Sequence, residues 1–212
     1  MRSLAKFEYV AAIDRICGLG WGRLTADECV DLAWAYYYFS IQFRENLQIA
    51  RELYPDDAKL MQLEREECDT SNLSPWPGVA AEGERMNHDE FMRRLLELAP
   101  VAPERRAMLE RHGERYLREA RAATPLACAQ SIASYEDGGL EQVFTAMLQA
   151  PLDAGPLHLA FHHFLSEHIR FDSDPLQGHG ALSRHIVPDD RIRPLWEGFE
   201  TMLLACVPGL SA

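Results

Sequence analysis

The sequence predicts an all-α protein, and two observations carry that prediction. Helix start and stop signals recur along the 212 residues, whereas alternating runs of Val, Ile and Thr closed by Asn-Gly turns are nearly absent. Apolar residues recur at the three- to four-residue spacing of amphipathic helices rather than at the two-residue spacing of strands. We therefore expect a single domain spanning 1–212, folded as a multi-helical bundle without internal repeats.

The N-terminal part, 1–22, is predicted to be a helix followed by a Gly-rich turn. An amphipathic segment over 3–17 leads to Gly18, Gly20 and Gly22. Glycine loses more backbone entropy than any other residue when it is fixed in a helix, so the first helix should end there.

A long second helix is expected after that turn. Thr25 with Glu28 has the form of a capping box, and no helix breaker follows before Pro55. Within this helix, the segment 32–43 is apolar on nearly all sides. That pattern predicts a central helix that packs against several neighbours.

Further helices are expected downstream, separated by turns that contain Pro or Gly. Asn87 with Glu90 again resembles a capping box. The remaining predicted helices cover 56–68, 87–99, 104–122, 125–149, a segment ending near 172, and 189–206. The stretch 69–86 is the longest loop. Loops of this length in compact domains are often functional, so we interpret it as a lid held by a packed Trp76.

Composition excludes several classes of protein. With 47% hydrophobic and 25% charged residues, the chain has globular rather than disordered proportions. The formal net charge of -12, without a basic cluster, argues against a nucleic-acid partner. Neither a charged-then-apolar leader nor an apolar run of about 18 residues is found, which predicts a soluble cytoplasmic protein without a membrane partner.

The cysteines indicate which metals the chain can bind. All 5 are scattered, and none forms a Cys-x-x-Cys pair, so neither a disulfide framework nor a thiolate zinc site is predicted. Any metal must then be held by oxygen and imidazole ligands. That mixture suits iron or manganese better than copper(I) or structural zinc.

Several ionisable side chains occupy helical positions where the period demands an apolar residue. Glu136 lies in an apolar stripe of its helix, and His168 and Asp172 continue the stripe of theirs, one turn apart. His88 and Glu67 likewise face the same way as the apolar residues of their own helices. A buried, unpaired charge is costly, so each needs a compensating partner.

Taken singly, each of these residues also has a structural explanation. A buried Glu136 can bond to a neighbouring tyrosine, and a histidine at a helix start, such as His88, can act as a cap. His168 and Asp172 can form a surface pair at i, i+4 spacing. Taken together, they favour a metal site, because inward carboxylates and histidines from separate helices are how helical bundles assemble dinuclear centres.

The order Glu, His, Glu, then His-x-x-x-Asp and a further His resembles the haem-oxygenase-like diiron oxidases and oxygenases. The residues around His88, those preceding Glu136, and the stretch 164–172 each read like ligand-bearing helices of this superfamily. The resemblance covers about 45–206. It implies a haem oxygenase-like fold that holds two iron ions, with manganese as the alternative metal, on three carboxylates and three histidines.

Carried over residue by residue, the resemblance implies a specific set of ligands. The implied ligands are Glu67 or Glu66 with His88, then Glu136 as the bridging carboxylate, then His168, Asp172 and His179. The loop 173–178 separates His179 from the helix of His168, so His185 and Asp174 stay as alternatives for the last ligand.

By resemblance, the expected activity is an O2-dependent oxidation of a small molecule similar to an amino acid or a fatty acid. N-oxygenation, desaturation and oxidative C–C cleavage are all compatible with it. The implied partners are the substrate, O2 and an external reductant, and a homodimer is compatible with the sequence.

Two other classes stay open. Metal-free thiaminase-like hydrolases share this architecture, and Cys128 lies on an inner stripe where it could serve as their nucleophile. Such an enzyme would not need His168, Asp172 and His179 together. A non-catalytic helical interaction protein is the third class, favoured if Glu136 and His88 are exposed.

Overall fold

The computed structural model describes residues 7–68, 75–152, 155–172 and 178–211, with Asp172 described by its backbone alone. Helices make up nearly all of the regular structure in these segments, which confirms the predicted all-α class. The haem oxygenase-like type of the bundle stays a prediction.

The helices follow one another with short connections. In chain order they are α1 (Glu8–Cys17), α2 (Ala26–Leu53), α3 (Ala58–Glu66), α4 (His88–Leu96), α5 (Pro103–Ala120), α6 (Pro125–Ser134), α7 (Leu140–Met147), α8 (Pro156–Asp172), α9 (His179–Ser183) and α10 (Arg193–Cys206). A π-helical segment, Tyr135–Gly139, joins α6 to α7, and 3-10 turns cover Trp21–Arg23, Asp190–Ile192 and Pro208–Ser211.

Helix α2 is the central helix, as its all-round apolar segment predicted. Its capping box is confirmed: the Glu28 N–H donates to Thr25 Oγ1 at 3.2 Å, and the Thr25 N–H donates to Glu28 Oε2 at 2.9 Å. Helices α4, α5, α6 and α10 all pack against α2. The buried ring of Tyr36 contacts Phe144 of α7 and Phe164 of α8, so α2 also reaches the helices that carry part of the candidate site.

The capping box predicted at Asn87 is wrong. The Asn87 side chain makes no cap hydrogen bond; its Oδ1 accepts from the Cys68 thiol at 3.0 Å instead. Glu90 is engaged by Arg93 and Arg94, at 2.7 and 2.9 Å, so its carboxylate is not available to the Asn87 N–H.

The continuous helix predicted over 125–149 is also wrong. It is interrupted by the π-helical segment, in which Gly138 adopts φ +94° and Asp137 leaves the helical region. The left-handed conformation disfavours any residue with a side chain, which explains glycine at position 138. At Gly139, a Cβ atom would lie 2.1 Å from the Ser134 carbonyl oxygen, so the tight turn requires glycine there too.

The described part of the 69–86 loop is packed. Trp76 is half-buried, and its ring lies 4.8 Å from the ring of His163 on α8. An isolated bridge joins Trp76 to Ala80. The packing of Trp76 is thus as expected, whereas 69–74 lies outside the described residues and the role of a lid stays a prediction.

Two further findings bear on the expectations from composition. Across the described ranges, no helix combines the length and the apolarity that crossing a bilayer requires. No disulfide joins cysteines 17, 29, 68, 128 and 206, all of which lie in the described ranges.

Candidate metal centre

Two carboxylates and one imidazole converge where α3, the π-helical segment and α9 meet. His179 Nδ1 lies 2.8 Å from Glu67 Oε1 and 3.3 Å from Glu136 Oε2. One ligand-type atom of each of the three residues lies within 4.8 Å of the others. The three side chains are therefore close enough for a single cation to contact all of them after small adjustments.

Two more histidines extend this group on the side of α4 and α8. His88 Nδ1 lies 3.3 Å from Glu67 Oε2, and the ring centroid of His168 lies 4.7 Å from that of His88. What we call the five-residue cluster consists of Glu67, His88, Glu136, His168 and His179. Its members are all buried, with exposed fractions of 5% for Glu67, 9% for His88, 7% for Glu136, 7% for His168 and 2% for His179.

Each member of the cluster comes from a different element. Glu67 is the C-cap residue of α3, and His88 is the first residue of α4. Glu136 lies in the π-helical segment, where the break in the helix occurs. His168 lies in the last part of α8, and His179 opens α9. π-Helical bulges are frequent at functional sites, which agrees with the position of Glu136.

The hydrogen bonds of His168 fix which ring nitrogen it presents to the cluster. Its Nδ1–H donates to the Phe164 carbonyl oxygen at 2.8 Å, which leaves Nε2 as the acceptor of the neutral ring. Nε2 of His168 and Nε2 of His88 are both buried, without a hydrogen-bond partner among the described residues. A backbone bond at one nitrogen and an open lone pair at the other is the usual state of metal-binding histidines.

Burial and neighbouring charges shift the pKa values of the cluster residues, and for some residues the two effects oppose each other. Burial, reinforced by the neighbouring His88, lowers the pKa of His168 to about 3. Burial also lowers the pKa of His88, although the Glu67 carboxylate opposes that effect. Both imidazoles are therefore neutral near pH 7, the form that binds a cation.

His179 behaves in the opposite way. Burial alone would lower its pKa, but the Glu67 and Glu136 carboxylates raise it well above the usual value. Burial raises the pKa of Glu136, whereas the histidines His88 and His179 hold the pKa of Glu67 below its usual value despite burial. Without a cation, a proton on His179 thus compensates the buried negative charge.

The two candidates for the first carboxylate differ in their contacts. Glu67 is buried and touches His88 and His179, whereas Glu66 is half-buried and its Oε2 lies 3.8 Å from His179 Nε2. The Glu66 Oε1 atom accepts a hydrogen bond from Gln62 at 2.7 Å on the outer side of α3. The arrangement favours Glu67.

The alternatives for the last ligand also differ in their positions. His179 joins the cluster, whereas His185 Nε2 lies 2.5 Å from Asp57 Oδ2 at the opposite end of α3. Asp174 lies outside the described residues. The backbone of Asp172 continues α8 one turn after His168, while its side chain is not described, so its role as a ligand stays a prediction.

A further residue, Gly180, shapes the site and was not among the site residues expected from the sequence. A Cβ atom on Gly180 would lie 2.9 Å from the Glu136 carbonyl oxygen and 3.2 Å from the Asp137 Cα, so glycine lets α9 approach the π-helical segment. The only available signal was its position directly after His179.

Comparisons of the chain with family models, with curated proteins and with solved structures returned no match. The functional assignment accordingly rests on the residues and contacts described above.

Proposed function

We propose that this chain is a non-haem diiron oxidase or oxygenase that uses O2 to oxidise a small molecule. The observation that carries the proposal is the five-residue cluster, in which two carboxylates and three imidazoles from five elements are buried together. Two of the imidazoles, His88 and His168, present an Nε2 atom without a partner among the described residues.

The donor set fits iron, with manganese as the alternative. Glu67, Glu136 and the three histidines offer the carboxylate and imidazole ligands that these metals prefer, and no thiolate contributes. Asp172 is the third carboxylate that the resemblance implies. Burying two carboxylates side by side is costly, and cations supply the compensating charge that such bundles use.

When bound, two ferrous ions supply electrons for the reduction of O2, and an external reductant is the further partner that the reaction needs. The chain's own residues orient the ligands and keep water away. Phe164 holds the His168 ring through its carbonyl oxygen, and its aromatic ring lies 4.2 Å from that imidazole. The Phe144 ring, at 5.8 Å from the His168 ring, adds to the apolar wall.

The two other classes have less support. A thiaminase-like nucleophile must form a thiolate, yet Cys128 is 1% exposed and burial raises its pKa. No hydrogen bond or ion pair joins its thiol to a histidine or a carboxylate among the described residues. An interaction protein is favoured if Glu136 and His88 are exposed, and both residues are buried.

Anaerobic loading with Fe(II), followed by metal analysis, tests the proposal. We expect about two irons per wild-type chain. Glu136→Gln keeps the shape of the side chain but removes its charge, so we expect iron binding to be lost while the helical content stays unchanged. The matched control is Asp31→Asn, which alters a buried carboxylate paired with Arg105 at 2.8 Å, away from the cluster.

Absence of iron from the wild-type protein would contradict the diiron proposal. Full iron occupancy in the Glu136→Gln variant would exclude Glu136 from the site. A second measurement follows O2 consumption by the iron-loaded protein, which should exceed that of the Glu136→Gln variant treated in the same way.

A further inference from the structure

Two buried amide side chains lie on one face of the central helix α2. Gln42 is 1% exposed, although most residues around it in the segment 32–43 are apolar. Asn46, one helical turn later, is 3% exposed. A buried amide is costly unless it forms hydrogen bonds, so the partners of these two residues indicate what they hold in place.

Both amides bind the end of α6 and the residue that follows it. The Tyr135 hydroxyl donates to Gln42 Oε1 at 3.3 Å, and the Asn46 amide Nδ2 donates to Ser131 Oγ at 2.8 Å. The two pairs run in opposite directions along the chain, one turn apart on each helix, as in an antiparallel helix pair. Together they fix the position of the end of α6 along α2.

A second hydroxyl binds the same amide oxygen. Tyr116 of α5, which is also buried, donates to Gln42 Oε1 at 2.9 Å. The Nε2 atom of Gln42 has no hydrogen-bond partner among the described residues, so the amide is held through its oxygen. Because two tyrosines share this oxygen, removal of either hydroxyl leaves the oxygen with one donor.

Tyr135 connects this contact to the five-residue cluster. It is the first residue of the π-helical segment and directly precedes Glu136. Its ring centroid lies 4.9 Å from that of Trp196 on α10 and 6.1 Å from that of Phe43 on α2. The Phe43 ring in turn lies 6.4 Å from the His88 imidazole. A shift of Tyr135 would therefore move Glu136 and disturb the packing beside His88.

The position of Glu136 needs such support from outside its own helix. Asp137 and Gly138 leave the helical conformation directly after it, so regular helical geometry constrains Glu136 only from the α6 side. Its Oε2 atom lies 3.3 Å from His179 Nδ1. Metal ligands must lie within about 0.2 Å of their ideal distances, so a small displacement of this carboxylate matters.

We propose that Gln42 is a positioning residue of the candidate metal centre. By binding the Tyr135 hydroxyl, it sets the register of the π-helical segment against α2, and this register places the Glu136 carboxylate in the cluster. The inference deepens the proposed function and rests on it for the metal. The register itself can be measured in the metal-free protein.

Two tyrosine variants separate positioning from stability. Tyr135→Phe and Tyr116→Phe each remove one buried hydroxyl that donates to Gln42 Oε1, so their urea unfolding midpoints should fall by comparable amounts. Anaerobic Fe(II) titration should show an affinity at least about tenfold weaker for Tyr135→Phe, the usual cost of losing a contact that orients a ligand. Tyr116→Phe should keep the wild-type affinity, because Tyr116 lies on α5 and is not joined to Glu136.

Two further measurements assign the effect to the contact between Gln42 and Tyr135. Gln42→Met keeps the length of the side chain but removes the acceptor, so it should weaken Fe(II) binding as much as Tyr135→Phe does. The double variant should be no weaker than either single variant, because both changes delete the same contact. In the metal-free protein, amide hydrogen exchange in 135–139 and 179–183 should be faster in Tyr135→Phe and unchanged in Tyr116→Phe.

Equal Fe(II) affinities in the two tyrosine variants would overturn the inference, as would additive losses in the double variant. If Gln42→Met does not fold, the tyrosine pair decides. The two proposals fail separately. Iron uptake by the wild type without a difference between the tyrosine variants removes only the role of Gln42. Without any iron uptake the diiron function fails, and hydrogen exchange decides the register: unequal exchange in the tyrosine variants supports it, and equal exchange overturns it.

Discussion

At His179, one imidazole nitrogen lies between two carboxylates, 2.8 Å from Glu67 and 3.3 Å from Glu136. These carboxylates raise the pKa of His179, so in the metal-free protein the ring carries a proton that a cation must displace. Metal binding and proton release are therefore coupled at this residue.

That coupling predicts how iron binding depends on pH. Because the proton on His179 competes with the metal, the Fe(II) affinity should rise as the pH is raised from about 6 to 8, by up to about tenfold per pH unit for one displaced proton. Anaerobic titrations in weak buffer should show about one proton released per chain at pH 7. An affinity that does not change with pH would contradict the protonated state of His179.

The adjacent residues Glu66 and Glu67 allow a matched comparison. Glu67→Gln removes a buried carboxylate that contacts both His88 and His179, so we expect iron binding to be lost. Glu66→Gln changes a half-buried side chain that is bonded to Gln62, so iron stoichiometry should stay at the wild-type value. Metal analysis after anaerobic loading measures both, and the reverse outcome would identify Glu66 as the ligand.

The sequence could identify most of these residues but not their relative positions. Glu136, His88 and His168 were found because each interrupts an apolar stripe, and all three are buried. The apolar stripe placed Glu67 on the inner face of its helix, but Glu66 stayed open as the first ligand, because the two residues are adjacent at the end of that helix. The position of His179 within the cluster could not be derived from helical periodicity either, since the preceding sequence 173–178 has no periodic pattern.

At the level of elements, the break between α6 and α7 has a direct consequence for the site. The π-helical segment carries Glu136 and receives α9 through the close approach of Gly180. The sequence predicted α2 with its cap and the extents of most helices to within a few residues. It did not predict this break, because the apolar stripe continues through it and only the adjacent Gly138 and Gly139 signal it.

The contact at Gly180 can be tested by adding one methyl group. Gly180→Ala places a Cβ atom 2.9 Å from the Glu136 carbonyl oxygen, so α9 must move away and His179 with it. We expect a loss of about 1–3 kcal/mol in the free energy of unfolding, together with weaker iron binding. Urea unfolding and iron titration measure the two effects.

The control for this substitution is Gly22→Ala, where the added Cβ atom meets its nearest neighbour, the Gln149 carbonyl oxygen, at 3.8 Å. That distance is an ordinary van der Waals contact, so iron binding should not change. Wild-type iron affinity in Gly180→Ala would show that the approach of α9 to the π-helical segment does not position His179.

For the whole molecule, the cluster places five ionisable groups inside a core that is mostly apolar. The rings of Phe144 and Phe164, each at most 1% exposed, lie against its imidazoles. The cluster in its metal-free form opposes folding wherever a buried histidine must stay neutral.

This opposition predicts that the metal-free protein loses stability on mild acidification. The folded-state pKa of His168 is lowered to about 3 and that of His88 is also lowered, so between about pH 6.5 and 5 the unfolded chain binds more protons than the folded one. His179, with its raised pKa, is already protonated in the folded state, so near pH 6.5, where the unfolded imidazole is only about half protonated, it opposes part of this loss, and its contribution to the slope vanishes toward pH 5. Glu136, whose pKa burial raises, offsets part of the loss.

The contribution of His168 can be isolated from the slope of the free energy of unfolding against pH. In His168→Leu, the free energy of unfolding should fall less steeply on acidification, by up to about 1.4 kcal/mol per pH unit, because one proton no longer distinguishes the two states. Phe199→Leu, a core change distant from any titrating group of the cluster, should lower the free energy of unfolding equally at every pH. Urea unfolding of metal-free protein between pH 5 and 6.5 measures these slopes. Parallel slopes for the wild type and His168→Leu would mean that His168 titrates normally, which is incompatible with a buried, neutral imidazole held ready for a metal.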